Sequence, residues 1–194
     1  HDAELQDILE AGCLHCEQHD EGIKASVLLY DKNKKMLLHA AGPSLPEEYN
    51  DLLKPGLPIG EGIGTCGSAA ATMDLSVAQH IQSHPNWLPY GEFVSITQKH
   101  GIHACWSLPI TSSREELLGT IANYRTAPGP PHRRNLVALE WAAMIAGIAI
   151  EQTNRRESLM CLWGSREHLF LANPVPGHDG GMQPGIGGIF RDDE

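Results

Sequence analysis

Cys13 and Cys16 stand at i and i+3, on one side of a helix, and with His19 they could supply part of a tetrahedral metal site. No second Cys/His pair accompanies them, and both thiols fall on an apolar stripe. They therefore read as core cysteines, and no metal is assigned. Gly60-Glu61-Gly62-Ile63-Gly64 is a second chemical candidate, because glycines ahead of a helix expose N–H groups to anions. It lacks the lysine that reaches nucleotide phosphates and an acidic partner about twenty residues on, so it reads as a turn that shapes a pocket wall. The eleven histidines are scattered, with His80, His84, His100 and His103 falling in one stretch.

These residues need elements to position them. Leu5, Ile8, Leu9, Gly12, Cys13 and Cys16 recur at helical spacing, which predicts an amphipathic helix over 2–18. Residues 24–30 and 35–41 are apolar runs split by Asp31-Lys32-Asn33-Lys34, the pattern of a hairpin. Ser44-x-x-Glu47 has capping-box spacing and predicts a short helix over 45–53. Thr65 or Cys66 is expected to cap a small helix over 67–73, followed by a strand near 75–78. A helix over 90–100 should stop at Gly101. Strands over 104–110 and 117–125 flank a polar turn, and Pro109 marks an edge or a bulge. The longest helical pattern, 135–156, is apolar almost all round its middle and calls for burial on two sides.

Composition narrows the class. The 194 residues are 41% apolar and 20% charged, enough for one full core, and a net charge of -10 without a basic patch excludes a nucleic-acid surface. No run of eighteen apolar residues occurs, so no membrane partner is expected. The acidic start, which lacks a Met, reads as an excerpt of a longer protein rather than a signal peptide. Five cysteines in apolar stretches fit a reducing cytoplasm. Residues 1–160 read as one domain, and 161–194 as a Gly/Pro-rich tail or linker expected to be poorly ordered.

Four segments in order carry a resemblance. Leu57-Pro-Ile-Gly-Glu-Gly-Ile-Gly-Thr-Cys-Gly-Ser-Ala-Ala-Ala resembles the G-x-G-x-x-G-x-A segment of GAF domains, and His84-Pro-Asn-Trp87 is similar to their D-P-x-W loop. Lys99–Ile110 and Leu118–Tyr124 resemble the H-G-L-R-A-C-W-S-x-P-I and L-G-T-x-A-x-Y strands. The resemblance implies an α+β fold: a central antiparallel sheet of about six strands, terminal helices on one face, and a ligand pocket on the other under the segments between 45 and 101. It also implies a sensor role in bacterial signalling proteins, with paired terminal helices making a homodimer. His80 stands where the family has an acidic residue, so any contact of that carboxylate is absent.

Strand alternation then sorts the site. Trp106, Leu108 and Ile110 share the face expected to meet the helices, while Cys105, Ser107, Ala122 and Tyr124 share the pocket face. Trp87 and Cys66 complete the candidate ligand-binding set, Trp87 as a lid. Cys66 also lies in a C-G-x-A segment similar to that of free methionine-(R)-sulfoxide reductase, a GAF enzyme. That family's attacking thiol falls where this chain has no cysteine, and its acids correspond to Ala122 and Tyr124, so catalysis is not expected. Some GAF sensors hold haem through a histidine, but the sequence names no cofactor. The expectation is a partly apolar small-molecule ligand, with a ligand-free dimerisation module as the rival.

Overall fold

A computed structural model describes residues 3–18 and 20–172, with side chains through Trp163; the rest of the expected tail lies outside the described residues. The chain divides into two compact units, 1–156 and 157–194.

Six strands form one antiparallel sheet in the order β3-β2-β1-β6-β5-β4. They are β1 (Ile23–Asp31), β2 (Met36–Ala41), β3 (Leu57–Pro58), β4 (Ser76–Ala78), β5 (Ala104–Thr111) and β6 (Leu117–Arg125). The helices are α1 (Ala3–Glu17), α2 (Glu47–Leu53), α3 (Cys66–Thr72), α4 (Gly91–Lys99) and α5 (Arg133–Ala172), with a 3-10 turn at Ile81–Ser83. The sequence marks every one of these except β3, which is too short for a period-2 pattern, and the 3-10 turn. α5 runs sixteen residues past the end of the expected periodic stretch at 156.

Turn chemistry closes the hairpins. The Asp31 carboxylate accepts from the amides of Asn33 and Lys34, at 2.9 and 3.0 Å. Ser112 Oγ accepts from the amides of Arg114 and Glu116 in the β5–β6 turn. Pro109 pairs with Thr120 on one side, whereas β4 reaches only Cys105–Ser107 on the other, so Pro109 sits on a local edge just before the bulge at Ile110/Thr111. Gly101 takes φ +65 beyond α4, the left-handed geometry its position suggests.

Two expected helix caps are corrected. α2 begins at Glu47 behind Pro46 with no side-chain cap, and the Pro46 carbonyl accepts from the Tyr49 and Asn50 amides. Ser44 Oγ donates instead to the Glu17 carboxylate at the end of α1. Thr65 precedes α3, but its hydroxyl also turns away from the helix start, toward Ser107 and Cys105. In both cases a tertiary partner outcompetes the local amide.

The sheet separates two apolar clusters. On one face Trp106, Ile110 and Ile121 pack with Leu5, Leu9, Cys13 and Cys16 of α1 and with Leu139, Ala142 and Ala146 of α5. Trp106 is fully buried there, with the Arg125 guanidinium carbon 5.4 Å from its ring centroid. Burying a side chain of this class contributes about 1.5–3 kcal/mol. Cys16 Sγ donates to the Ala138 carbonyl at 3.8 Å, and burial raises its thiol to about 12, so it belongs to the α1–α5 contact. α5 approaches the sheet closely: a Cβ at Gly147 would stand 2.6 Å from the Thr111 carbonyl oxygen. By length and composition Arg133–Trp163 could cross a membrane, but 50% of its most apolar window is buried within the protein, as in a core helix.

Candidate functional site

The opposite face of β5 and β6 carries the second cluster, and alternation decides its members. Cys105 on β5 and Ala122 and Tyr124 on β6 turn away from Trp106 and are buried under α2, α3 and α4. Ser107 shares their face and is also fully buried. α3 brings Cys66 onto this floor. A Cβ at Gly67 would lie 2.7 Å from the Pro58 carbonyl oxygen, so the glycine lets α3 sit tight against the β3 segment.

The floor is a run of small polar groups. Ser107 Oγ donates to Thr65 Oγ1 at 2.8 Å, Thr65 Oγ1 lies 3.0 Å from Cys105 Sγ, and Cys66 Sγ lies 3.3 Å from Ser107 Oγ. Beside it, Tyr49 Oη donates to Tyr124 Oη at 3.3 Å, and Tyr124 Oη stands 3.1 Å from Ser26 Oγ. Burial pushes both phenols well above the usual tyrosine range and both thiols above the usual cysteine range. The site therefore presents hydroxyls and thiols, not phenolates or thiolates, at neutral pH.

Over this floor lies a small cavity of about 30 Å³. Tyr49 and Leu53 of α2, Phe93 of α4, and Trp87 and Tyr90 of the intervening loop form its roof. Tyr49 meets Phe93 and Tyr124 edge to face, with centroids 5.4 and 5.3 Å apart. The Trp87 loop is fastened by the Asn86 carbonyl, which accepts from Gly64 N at 2.8 Å, and by Asn86 Nδ2 donating to Ser68 Oγ. Lys99 of α4 holds Glu48 of α2 at 2.6 Å, tying the two roof helices together.

Of the six expected site residues, Trp87, Cys66 and Tyr124 line this cavity. Cys105, Ser107 and Ala122 lie in the same cluster or hydrogen-bonded floor but are not lining residues. Sequence reasoning missed Tyr49, Leu53, Tyr90 and Phe93. Their signal was spacing: Tyr49/Leu53 at i, i+4 and Tyr90/Phe93 at i, i+3 each mark one helix face. His80, His84, His100 and His103 do not line the cavity; His103 Nδ1 pairs with Gln82 Oε1 at 3.2 Å. Among the described residues no three His, Cys, Asp or Glu gather as a metal site.

Comparisons with known proteins agree with this architecture. A family model described as GAF domain matches residues 2–151. The methyl sulfide methyltransferase-associated sensor of Methanosarcina acetivorans is 32% identical over 157 residues, which cover 81% of this chain but only 15% of that protein. A domain of a two-component sensor histidine kinase protein from Sinorhizobium meliloti has a similar structure, with TM-score 0.61 and 16% identity, covering 80% of this chain and 96% of that one. Free methionine-R-sulfoxide reductase from Neisseria meningitidis, solved with its substrate, aligns with TM-score 0.59 and 16% identity over 78% of this chain and 81% of that one. At these identities the two structures speak to the fold alone. A two-faced antiparallel sheet, helices on one side and a roofed cavity on the other, together with a family match over most of the sequence, establishes that the chain belongs to the GAF domain family.

Proposed function

We propose that the domain is a regulatory sensor of a signal-transduction protein, in which a small, partly apolar molecule under α2 and α4 changes how α1 and α5 pair with a second copy. The observation that carries this reading is the cavity itself, a roof of aromatic rings above a floor of neutral hydroxyls and thiols, on the face opposite the terminal helices. A relative bearing the name of sensor supports it. The thiols argue for binding rather than catalysis, since burial raises Cys66 and Cys105 away from the reactive thiolate form. A thermal-shift screen of metabolites provides the test. Hits should lose their effect in Trp87→Ala and Tyr124→Ala, and hits unchanged in both variants would remove the pocket assignment.

One observation favours a second reading, a ligand-free dimerisation module. The cavity is small, while α5 exposes Val137, Trp141, Ile145 and Ile148 at i, i+4, i+8 and i+11, each more than 40% exposed. Sedimentation of the parent and of Trp141→Glu separates the two. A tight dimer broken by Trp141→Glu, with no ligand found by the screen, selects the module; a ligand-dependent dimer selects the sensor.

A further inference from the structure

We infer that the ligand of this cavity is an uncharged molecule of a few heavy atoms, with an apolar body and one hydrogen-bond acceptor received by the indole N–H of Trp87. The inference rests on the sensor reading and narrows it to a chemical class.

Three observations carry it. First, among the described residues no Asp, Glu, Lys, Arg or His lines the cavity, and burial holds the lining groups Tyr49, Tyr124 and Cys66 in their neutral forms. A carboxylate or phosphate entering here would lose its hydration and find no counter-charge. Second, Trp87 is 4% exposed, and its Nε1 is buried with no acceptor among the described residues. A buried N–H without a partner costs about 1–3 kcal/mol, and an acceptor atom on a ligand removes that cost. The floor hydroxyls contrast with it, because Ser26, Tyr49, Thr65, Ser107 and Tyr124 already satisfy one another. Third, a volume of about 30 Å³ is small for a ligand pocket, which sets the scale at a few atoms rather than a nucleotide.

A cation held by the aromatic rings is the competing class. The edge-to-face contacts of Tyr49 with Phe93 and Tyr124 oppose it at these rings, where edges already occupy faces that a cation would need, and acetamidinium tests the faces of Trp87 and Tyr90.

Acetone, acetate, acetamidinium and isobutene are four probes of one Y-shaped, four-heavy-atom form that differ in charge and acceptor. Each is titrated into the full chain labelled with ¹⁵N, and the indole N–H resonance of Trp87, assigned by its loss in Trp87→Phe, is followed. Acetone should shift it saturably, with acetate and acetamidinium at least tenfold weaker. Trp87→Phe, read by the ligand's own signals, should weaken acetone about tenfold and leave isobutene unchanged. Saturable binding by acetate or acetamidinium at the strength of acetone overturns the neutral class while leaving the sensor reading intact. Equal loss of acetone and isobutene in Trp87→Phe overturns the acceptor role. If no probe perturbs the cavity resonances, the inference falls, while the sensor reading stands or falls by the metabolite screen and its Trp87→Ala and Tyr124→Ala variants.

Discussion

Tyr124→Phe removes one oxygen from the hinge of the buried hydroxyl run. Tyr124 Oη accepts from Tyr49 Oη at 3.3 Å, leaving its own proton for Ser26 Oγ at 3.1 Å, and neither neighbour has another hydroxyl partner among the described residues. Ser26 is fully buried and Tyr49 is 2% exposed. Each orphaned buried hydroxyl costs about 1–3 kcal/mol, and two of them put the loss at about 2–6 kcal/mol. With about 2–4 °C per kcal/mol for a chain of this size, Tm should fall by about 4–24 °C. The triple variant Ser26→Ala, Tyr49→Phe, Tyr124→Phe removes every member together and leaves the aromatic packing in place. It should therefore be more stable than Tyr124→Phe alone, by more than half of that loss. Urea and thermal unfolding of the three single variants and the triple measure the effect. A Tyr124→Phe loss under about 0.5 kcal/mol, or a triple loss equal to the sum of the singles, would refute the reasoning.

Gly147→Ala should destabilise the domain by about 1–2 kcal/mol in urea unfolding. The gain in helix propensity, about 1 kcal/mol, is outweighed by a Cβ placed 2.6 Å from the Thr111 carbonyl; a stabilised variant would mean that α5 stands farther from β5. Thiol titration at pH 8 should find Cys161 fast, because it is exposed, and Cys13, Cys16, Cys66 and Cys105 slow until denaturant is added. Two fast thiols would contradict the burial of the cavity floor. Burial lowers the pKa of His39, which pairs with Asn50 at 3.1 Å, so the unfolded chain takes up a proton on acidification before the folded one does. Stability should be full above about pH 6.5 and decline as pH falls toward the lowered value, and His39→Gln should flatten that slope; an unchanged slope assigns it elsewhere.

Much of the sheet was legible because its chemistry alternates. In Ala104–Ile110 an indole and two aliphatic chains interleave with a thiol and a hydroxyl, and period 2 alone separates the helix face from the cavity face. Gly64 of the Gly-rich stretch lines the cavity, and Gly67 just beyond it is pressed against the Pro58 carbonyl. The roof was less legible. Tyr49 and Phe93 lie in short helices whose orientation depends on what they meet, and spacing over nine residues or fewer gives a face but no direction. The caps failed for a related reason. Ser44 and Thr65 have the local pattern, but Glu17 is 27 positions away from Ser44 and Cys105 is 40 away from Thr65, and local spacing carries no trace of either. The size of the cavity is likewise a property of packing, invisible until the rings are in place.

Glu17 joins parts of the molecule that the sheet otherwise keeps apart. One oxygen of its carboxylate accepts from the Ala25 amide of β1 at 3.0 Å, and the other takes the Ser44 hydroxyl, three residues before α2 begins. A lid built on α2 is thus leashed to the last turn of the N-terminal helix by a side chain rather than by packing. Any swing of α2 that carries Ser44 with it must either drag the end of α1 or release a carboxylate oxygen to water.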